Sequence, residues 1–430
     1  MILVYTSSVG PRYNYTFDLI FKELLGVEYA FSSIEKEFLT YEGPKINYSE
    51  LHFENVIQIH NIGLLNNIGL DYPEVEIREW HGIPIFYASD KGGKIPFDIF
   101  SLTFLLASRM EEYESNLTDA HGRFPAEESI AFKHGFHKRP LVNLLVKEFG
   151  NALVEKYSDL NIKKHTFMHI PSFDIDTAFD YKAKGLFRTI GGMCKDAMTL
   201  RFDRYYERFL VLFGFKNDPY DQFDFMIKAV KDAHLNSLFF VNMGGYGAHD
   251  KQNRLNSSAF KKLMIMLDRS LGVHIHPSYQ SNLKPELVES EKNRLESIIG
   301  HKVFKSRQHY LKLTFPETFQ NLIDIGITSD YSLGYASQIG FRSSICTSFK
   351  FYDLQKEETT DLVFYPFCYM DGTFTDYLEL EHEDVLKELE PMLNDVKECG
   401  GLFIGIWHNS FINIDKDIKK LFLDIINLCK

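Results

Sequence analysis

From about residue 165 to the C-terminus the chain repeats one pattern: an apolar run, a polar loop and an amphipathic helix. No other feature restricts its fold as much, because such alternation is met by parallel strands carrying helices on their outer side. Strands are expected at 167–173, 237–242, 272–276, 303–308, 327–329, 341–344, 362–367 and 402–407, and helices at 222–234, 258–269, 285–299, 315–324 and 384–398. Seven or eight strands in this order suggest a closed or nearly closed (β/α) barrel. In such barrels chemistry gathers at the C-terminal strand ends.

Residues 1–160 read differently, as a small α+β domain that packs on the region 165–430. Strands are expected at 2–5, 56–59 and 83–87, the last beside Trp80, with helical spacing at 14–25, 97–113 and 140–157. Asp119-Ala-His-Gly-Arg-Phe124 is turn-like, and His121 and Arg123 read there as loop and salt-bridge residues. A chain of 430 residues is too long for one ordinary core, which agrees with a division. The net charge of −12 argues against nucleic acid or an anionic membrane surface as the main partner. No stretch approaches 18 apolar residues, so no integral membrane segment is expected. The first residues lack a basic region and turn polar by Thr6, and the five scattered cysteines include no Cys-x-x-Cys pair. Together these point to a cytoplasmic chain with reduced thiols.

Polar residues collect where apolar runs stop. Asp174 and Asp176 end the first of these strands, with alternation placing both carboxylates on one face and Phe173 and Ile175 on the other. Carboxylates that close repel unless a cation separates them, so the pair implies a metal or divided roles. His274 and His276 likewise share a face just before Pro277 stops their strand. His309, Arg342 and His408 lie at similar edges. One excursion, 181–216, interrupts the rhythm with eight basic residues against three acidic ones. It reads as amphipathic helix, either a solvated face or a cap over the barrel mouth that attracts an anionic saccharide or phosphate.

Five segments together resemble the polysaccharide deacetylase-like proteins with the NodB-homology fold. These are Phe173-Asp-Ile-Asp176, Gly272-Val-His-Ile-His-Pro-Ser-Tyr279, Ser306-Arg-Gln-His-Tyr-Leu311, Gly340-Phe-Arg-Ser343 and Ile406-Trp-His-Asn409. The chain is similar more narrowly to a bacterial subgroup with an N-terminal extension, whose landmarks resemble Phe104–Tyr113 and His121-Gly-Arg-Phe124. The resemblance implies a distorted (β/α)7-type barrel, a divalent metal with zinc the first expectation, and hydrolysis of an N-acetyl group on an amino sugar in a polysaccharide or its precursor.

Carried over residue by residue, the resemblance implies that Asp174 is the base and Asp176 a metal ligand, although the two could exchange. His276 would be a second ligand, Arg342 would orient the base, and His408 would protonate the departing amine. The wider family has another histidine four residues after the first, and here that position is Gln280. His309 is therefore expected to complete the metal site, with His274 the alternative. Ser278, Tyr279, Tyr331 and Trp407 are the candidate substrate contacts. The missing histidine also leaves open a saccharide-binding or scaffold module without hydrolysis. A third reading keeps the metal and gives a hydrolase of a small amide.

Overall fold

The computed structural model describes residues 1–91, 93–414 and 416–430, without the side chains of Leu283, Asn413, Ile414 and Lys416. In chain order the strands are Ile2–Tyr5 (β1), Tyr29–Ser32 (β2), Lys45–Tyr48 (β3), Ile57–Ile59 (β4), Arg78–Trp80 (β5), Ile83–Ile85 (β6), Met168–Ile175 (β7) and Leu238–Asn242 (β8). They continue as Val273–His276 (β9), Lys305–Ser306 (β10), Ser329–Asp330 (β11), Phe349–Asp353 (β12), Glu358–Phe364 (β13), Tyr369–Met370 (β14) and Leu402–His408 (β15).

β7 to β15 form one nine-stranded sheet in the order β12-β13-β11-β10-β9-β8-β7-β15-β14. All its pairings are parallel except β12 with β13. The helices Phe223–Asp232, Ser258–Leu271, Pro285–Ile299, Glu317–Asp324 and His382–Cys399 intervene between strands, as the alternation predicts. Alternation also divides the residues: Phe173, Ile175, Phe239, Val241 and Trp407 join the large core, while Ile170, Phe240, Ile404 and Ile406 build a second apolar cluster on the opposite face. Asp174 and His408 are directly paired in register.

Of the expected closed or nearly closed, distorted barrel, the described residues show a mixed α/β arrangement with a mostly parallel sheet that is not closed, its edges lying at β12 and β14. The expected strand at 341–344 is absent, and the stretch between β11 and β12 runs as loop. Its backbone spends its hydrogen bonds on neighbours: Phe367 N donates to Leu333 O, Gly340 N to Cys368 O, and Phe341 N to His137 O. Gly340 has φ +143°, and a Cβ there would lie 2.4 Å from the His137 carbonyl oxygen.

The first 160 residues are α/β, and the α+β expectation is corrected. β1 to β4 form a sheet in the order β2-β1-β3-β4 whose neighbours are all parallel, with β5 and β6 a separate antiparallel pair. The helix expected at 97–113 breaks at Arg109, whose φ of +55° separates Ile99–Ser108 from Met110–Tyr113. The two regions share an apolar core, with the Tyr15 and Phe104 rings packed 4.9 and 5.3 Å from that of Tyr352. No helix among the described residues is long and apolar enough to cross a membrane.

Candidate metal centre

The C-terminal ends of β7, β9, β10, β14 and β15 lie along one rim, and each delivers polar side chains to it. Asp176, His276 and His309 offer three ligand atoms that all lie within 4.8 Å of one another. His276 Nε2 is 3.2 Å and His309 Nε2 3.3 Å from Asp176 Oδ1. Those spacings match the about 3.3 Å edge of a tetrahedron with metal–ligand bonds of about 2.0–2.1 Å.

Hydrogen bonds behind the ligands fix which nitrogen faces inward. His276 Nδ1 donates to the Arg307 carbonyl at 2.6 Å, and His309 Nδ1 to Asp250 Oδ1 at 2.8 Å. With Nδ1 so engaged, each ring points its Nε2 toward Asp176, the orientation that second-shell partners impose on metal-binding histidines. Asp176 Oδ1 is itself buried and has no hydrogen-bond partner among the described residues. Acceptors that face one another at 3.2 Å need a cation or a proton between them. Without a metal the proton serves: burial opposes a charged His309 ring, but Asp176 and Asp250 outweigh it and raise the pKa to about 9. For Asp176, burial is likewise outweighed, here by His309 and His276, and its pKa falls well below the carboxylate range. Two imidazoles and a carboxylate suit a divalent ion such as zinc.

Asp174 stands beside this group with its Oδ2 3.8 Å from His276 Nε2. Its Oδ1 accepts from Arg307 Nη1 at 2.7 Å. Arg307 is wholly buried, donates also to Ser172 Oγ and to the Tyr331 carbonyl, and lies 4.3 Å from the centre of the Phe240 ring. The sequence reading gave this place to Arg342. That assignment is corrected, because Arg342 pairs with Glu112 and donates to the Gly334 carbonyl, so Arg307 is the guanidinium at Asp174.

His408 Nε2 faces Asp176 Oδ2 at 3.8 Å. Asp371, just after β14, receives both the His408 Nδ1 proton at 2.7 Å and its backbone N–H at 2.6 Å. Burial opposes the charged ring, yet Asp371 outweighs it and raises the His408 pKa to about 10.

Asp174, Asp176, His276, His309 and His408 all line one cavity of about 370 Å³. Tyr310, Tyr377, Phe411 and Met370 supply its apolar wall, and Arg123 reaches in from the N-terminal region. Arg123 does form a salt bridge, to Asp119, but its Nη1 also donates to the Tyr310 carbonyl at 2.9 Å. Tyr310 and Leu311 have φ of +59° and +52°. Side chains in that region cost of order 1–3 kcal/mol each, so Arg123 holds a strained turn at the cavity wall.

Among the candidate substrate contacts, Trp407 is fully buried against Phe422 on the opposite face of its strand, and is corrected to a core residue. Tyr331 stacks on Tyr365 at 4.6 Å and is buried, and Ser278 bonds to Glu291 away from the cavity. Tyr279 alone of the four stands near the rim, between His121 and His249. His274 packs beside Phe240 away from the metal group, where burial lowers its pKa to about 3. Gln280 is exposed beside Gly247.

A family model described as a family of unknown function, DUF7033, matches residues 2–158. No curated protein matches the chain. Among solved structures, a crystal structure from Mycobacterium smegmatis, provisionally described as a polysaccharide deacetylase, is 13% identical with a TM-score of 0.39. The match covers 61% of this chain and 85% of that one.

Proposed function

We propose that the chain is a metal-dependent hydrolase that removes an N-acetyl group from an amino sugar in a polysaccharide or its precursor. The observation that carries this reading is a single cavity wall presenting three convergent ligand atoms, a guanidinium-held carboxylate and an imidazole backed by the Asp371 carboxylate. Asp176, His276 and His309 would hold a divalent ion, which supplies Lewis acidity toward an acyl oxygen and lowers the pKa of water.

The chain's own groups divide the remaining work. Asp174 accepts a proton through Oδ2, while Arg307 holds its other oxygen and aims it by a charge-assisted hydrogen bond. His408 donates from Nε2 to the nitrogen that leaves, and Asp371 keeps the ring charged and correctly turned. The cavity lies toward the small end of the range for ligand sites, and its tyrosines and Phe411 offer flat apolar walls to a sugar ring. The choice of an amino sugar rests on the motif resemblance. A binding module without hydrolysis is less favoured because His309 offers the second imidazole that Gln280 does not.

Elemental analysis and acetate release from a panel of N-acetylated amino-sugar oligosaccharides test this directly. Wild type is expected to carry a divalent metal and release acetate, Asp176→Asn to lose both, and His408→Ala to keep the metal without turnover. Metal binding undiminished in Asp176→Asn, or no release by metal-loaded wild type, would sink the assignment.

A further inference from the structure

The excursion after β7 folds into two helices, Leu186–Met198 and Phe202–Leu212, and their amphipathicity is inside out. The inward face carries charge. Asp196 and Arg208 are both buried and bond one another at 2.7 Å, and a Cβ on Gly192 would collide with that guanidinium. The outward face is apolar. On the first helix Phe187, Ile190 and Met198 follow a helical stripe, with exposures of 91%, 49% and 84%. On the second, Phe202, Tyr206, Phe209 and Phe213 repeat the same spacing and are all exposed. Water-facing helices place these residue types the other way round.

Charge separates this face from the rest of the molecule. The chain is net −12, yet residues 181–216 hold eight basic residues against three acidic ones. Two of those three acids are consumed locally, Asp196 by Arg208 and Glu207 by Lys216. Lys195 and Arg201 are exposed beside the stripes and form no ion pair among the described residues. Aromatic and aliphatic stripes bordered by cations match the interfacial zone of an anionic bilayer, where rings enter the acyl boundary and cations meet headgroups.

We propose that the hairpin 186–215 docks the protein on the surface of an anionic lipid bilayer. Thr177 and Tyr220, which flank the excursion, both line the cavity, so docking sets the cavity mouth beside the membrane. Resting on the deacetylase reading, this makes a membrane-tethered saccharide the substrate class.

Sedimentation of the full chain with phosphatidylcholine vesicles, with and without phosphatidylglycerol, tests the docking without any turnover. Wild type should bind the anionic vesicles roughly tenfold or more tightly than the neutral ones. The triple variant Phe187→Ser/Phe202→Ser/Phe213→Ser and, separately, Lys195→Glu/Arg201→Glu should each lose roughly tenfold or more, with unchanged melting temperature. Wild type left in the supernatant with both vesicles would overturn the proposal. So would a dimer in light scattering that the serine variant dissociates, because a second copy would then cover the stripes. For the substrate class, wild type should hydrolyse a vesicle-tethered N-acetyl saccharide faster than the free one, and the serine variant should lose only that advantage. Equal rates would overturn this part, whereas release from neither substrate would instead count against the deacetylase reading.

Discussion

Two arginine–carboxylate pairs in this molecule are equally buried, and they differ in what the carboxylate has left over. At the junction of the two regions Glu112 Oε1 accepts from Arg109 Nε at 2.7 Å and Arg342 Nε at 2.9 Å, while Oε2 accepts from Arg342 Nη2. Both oxygens are saturated by protein, and although burial opposes the charge, Arg342 and Arg109 hold the Glu112 pKa below its usual value. At the rim Arg307 takes one oxygen of Asp174 and leaves the other against His276 and the cavity. Burial and pairing are common to structural and chemical carboxylates, so neither marks a site. A buried carboxylate with an unspent oxygen facing a cavity does.

The same contrast appears in two histidines of the neighbouring strands β7 and β15. His408 has a carboxylate behind it, whereas among the described residues His169 has only the Tyr369 hydroxyl at 2.9 Å. Replacing Asp371 by Asn should therefore give the largest effect, a fall in kcat of about 10²–10⁴-fold. Metal content and KM should hardly change, since Asp371 acts through His408 and touches no ligand of the metal group. Metal loss in Asp371→Asn would show instead that it supports the centre as a whole.

Arg307→Met and Arg342→Met put the two ion pairs side by side. Arg307→Met strands the buried Asp174 carboxylate and should cost about 3–5 kcal/mol in denaturant unfolding, whereas Arg342→Met leaves Glu112 paired with Arg109 and should cost less. Their turnover should part company: measured per folded molecule, Arg307→Met should lose activity as Asp174 loses its orientation, while Arg342→Met should keep it. Equal losses of kcat in the two variants would erase the distinction between rim and junction.

How much of this was legible beforehand follows from the range of each contact. Asp174, Asp176, His276 and His408 were visible because local rules, strand alternation and a polar stop, place them. His309 is legible only indirectly, as the histidine at a neighbouring strand end that compensates for Gln280. Arg307 lies inside the segment Ser306–Leu311, yet nothing local marks its role, because its side chain crosses the sheet face to a residue 133 positions away. Arg342 takes its expected role from the motif resemblance, and only tertiary packing turns its segment against His137 and its guanidinium toward Glu112. Asp250 comes from a loop and Asp371 from the first turn of the short helical segment after β14, and neither has a periodicity to betray it. Trp407 was a missed inference, since the alternation that puts His408 at the rim puts its neighbour in the core. In the N-terminal region, β2 and β3 are four residues long and mix polar with apolar side chains, so the parallel sheet left little trace.

The smallest effect concerns His169. Its ring is buried, its Nδ1 has no hydrogen-bond partner among the described residues, and burial lowers its pKa to about 3. The unfolded chain takes up this proton near pH 6.5 and the folded chain only near 3, so the unfolded state holds more protons between those values. Stability from a neutral His169 is thus complete above about pH 6.5 and drains away as pH falls toward 3, at up to about 1 kcal/mol per pH unit. His408 has the opposite shift and cannot produce this acid loss. Thermal melts of wild type and His169→Asn between neutral and acid pH should show a shallower dependence in the variant, with acetate release at neutral pH retained. Parallel slopes would mean that His169 is protonated in the fold, and the contrast between a neutral core histidine and a charged rim histidine would fall.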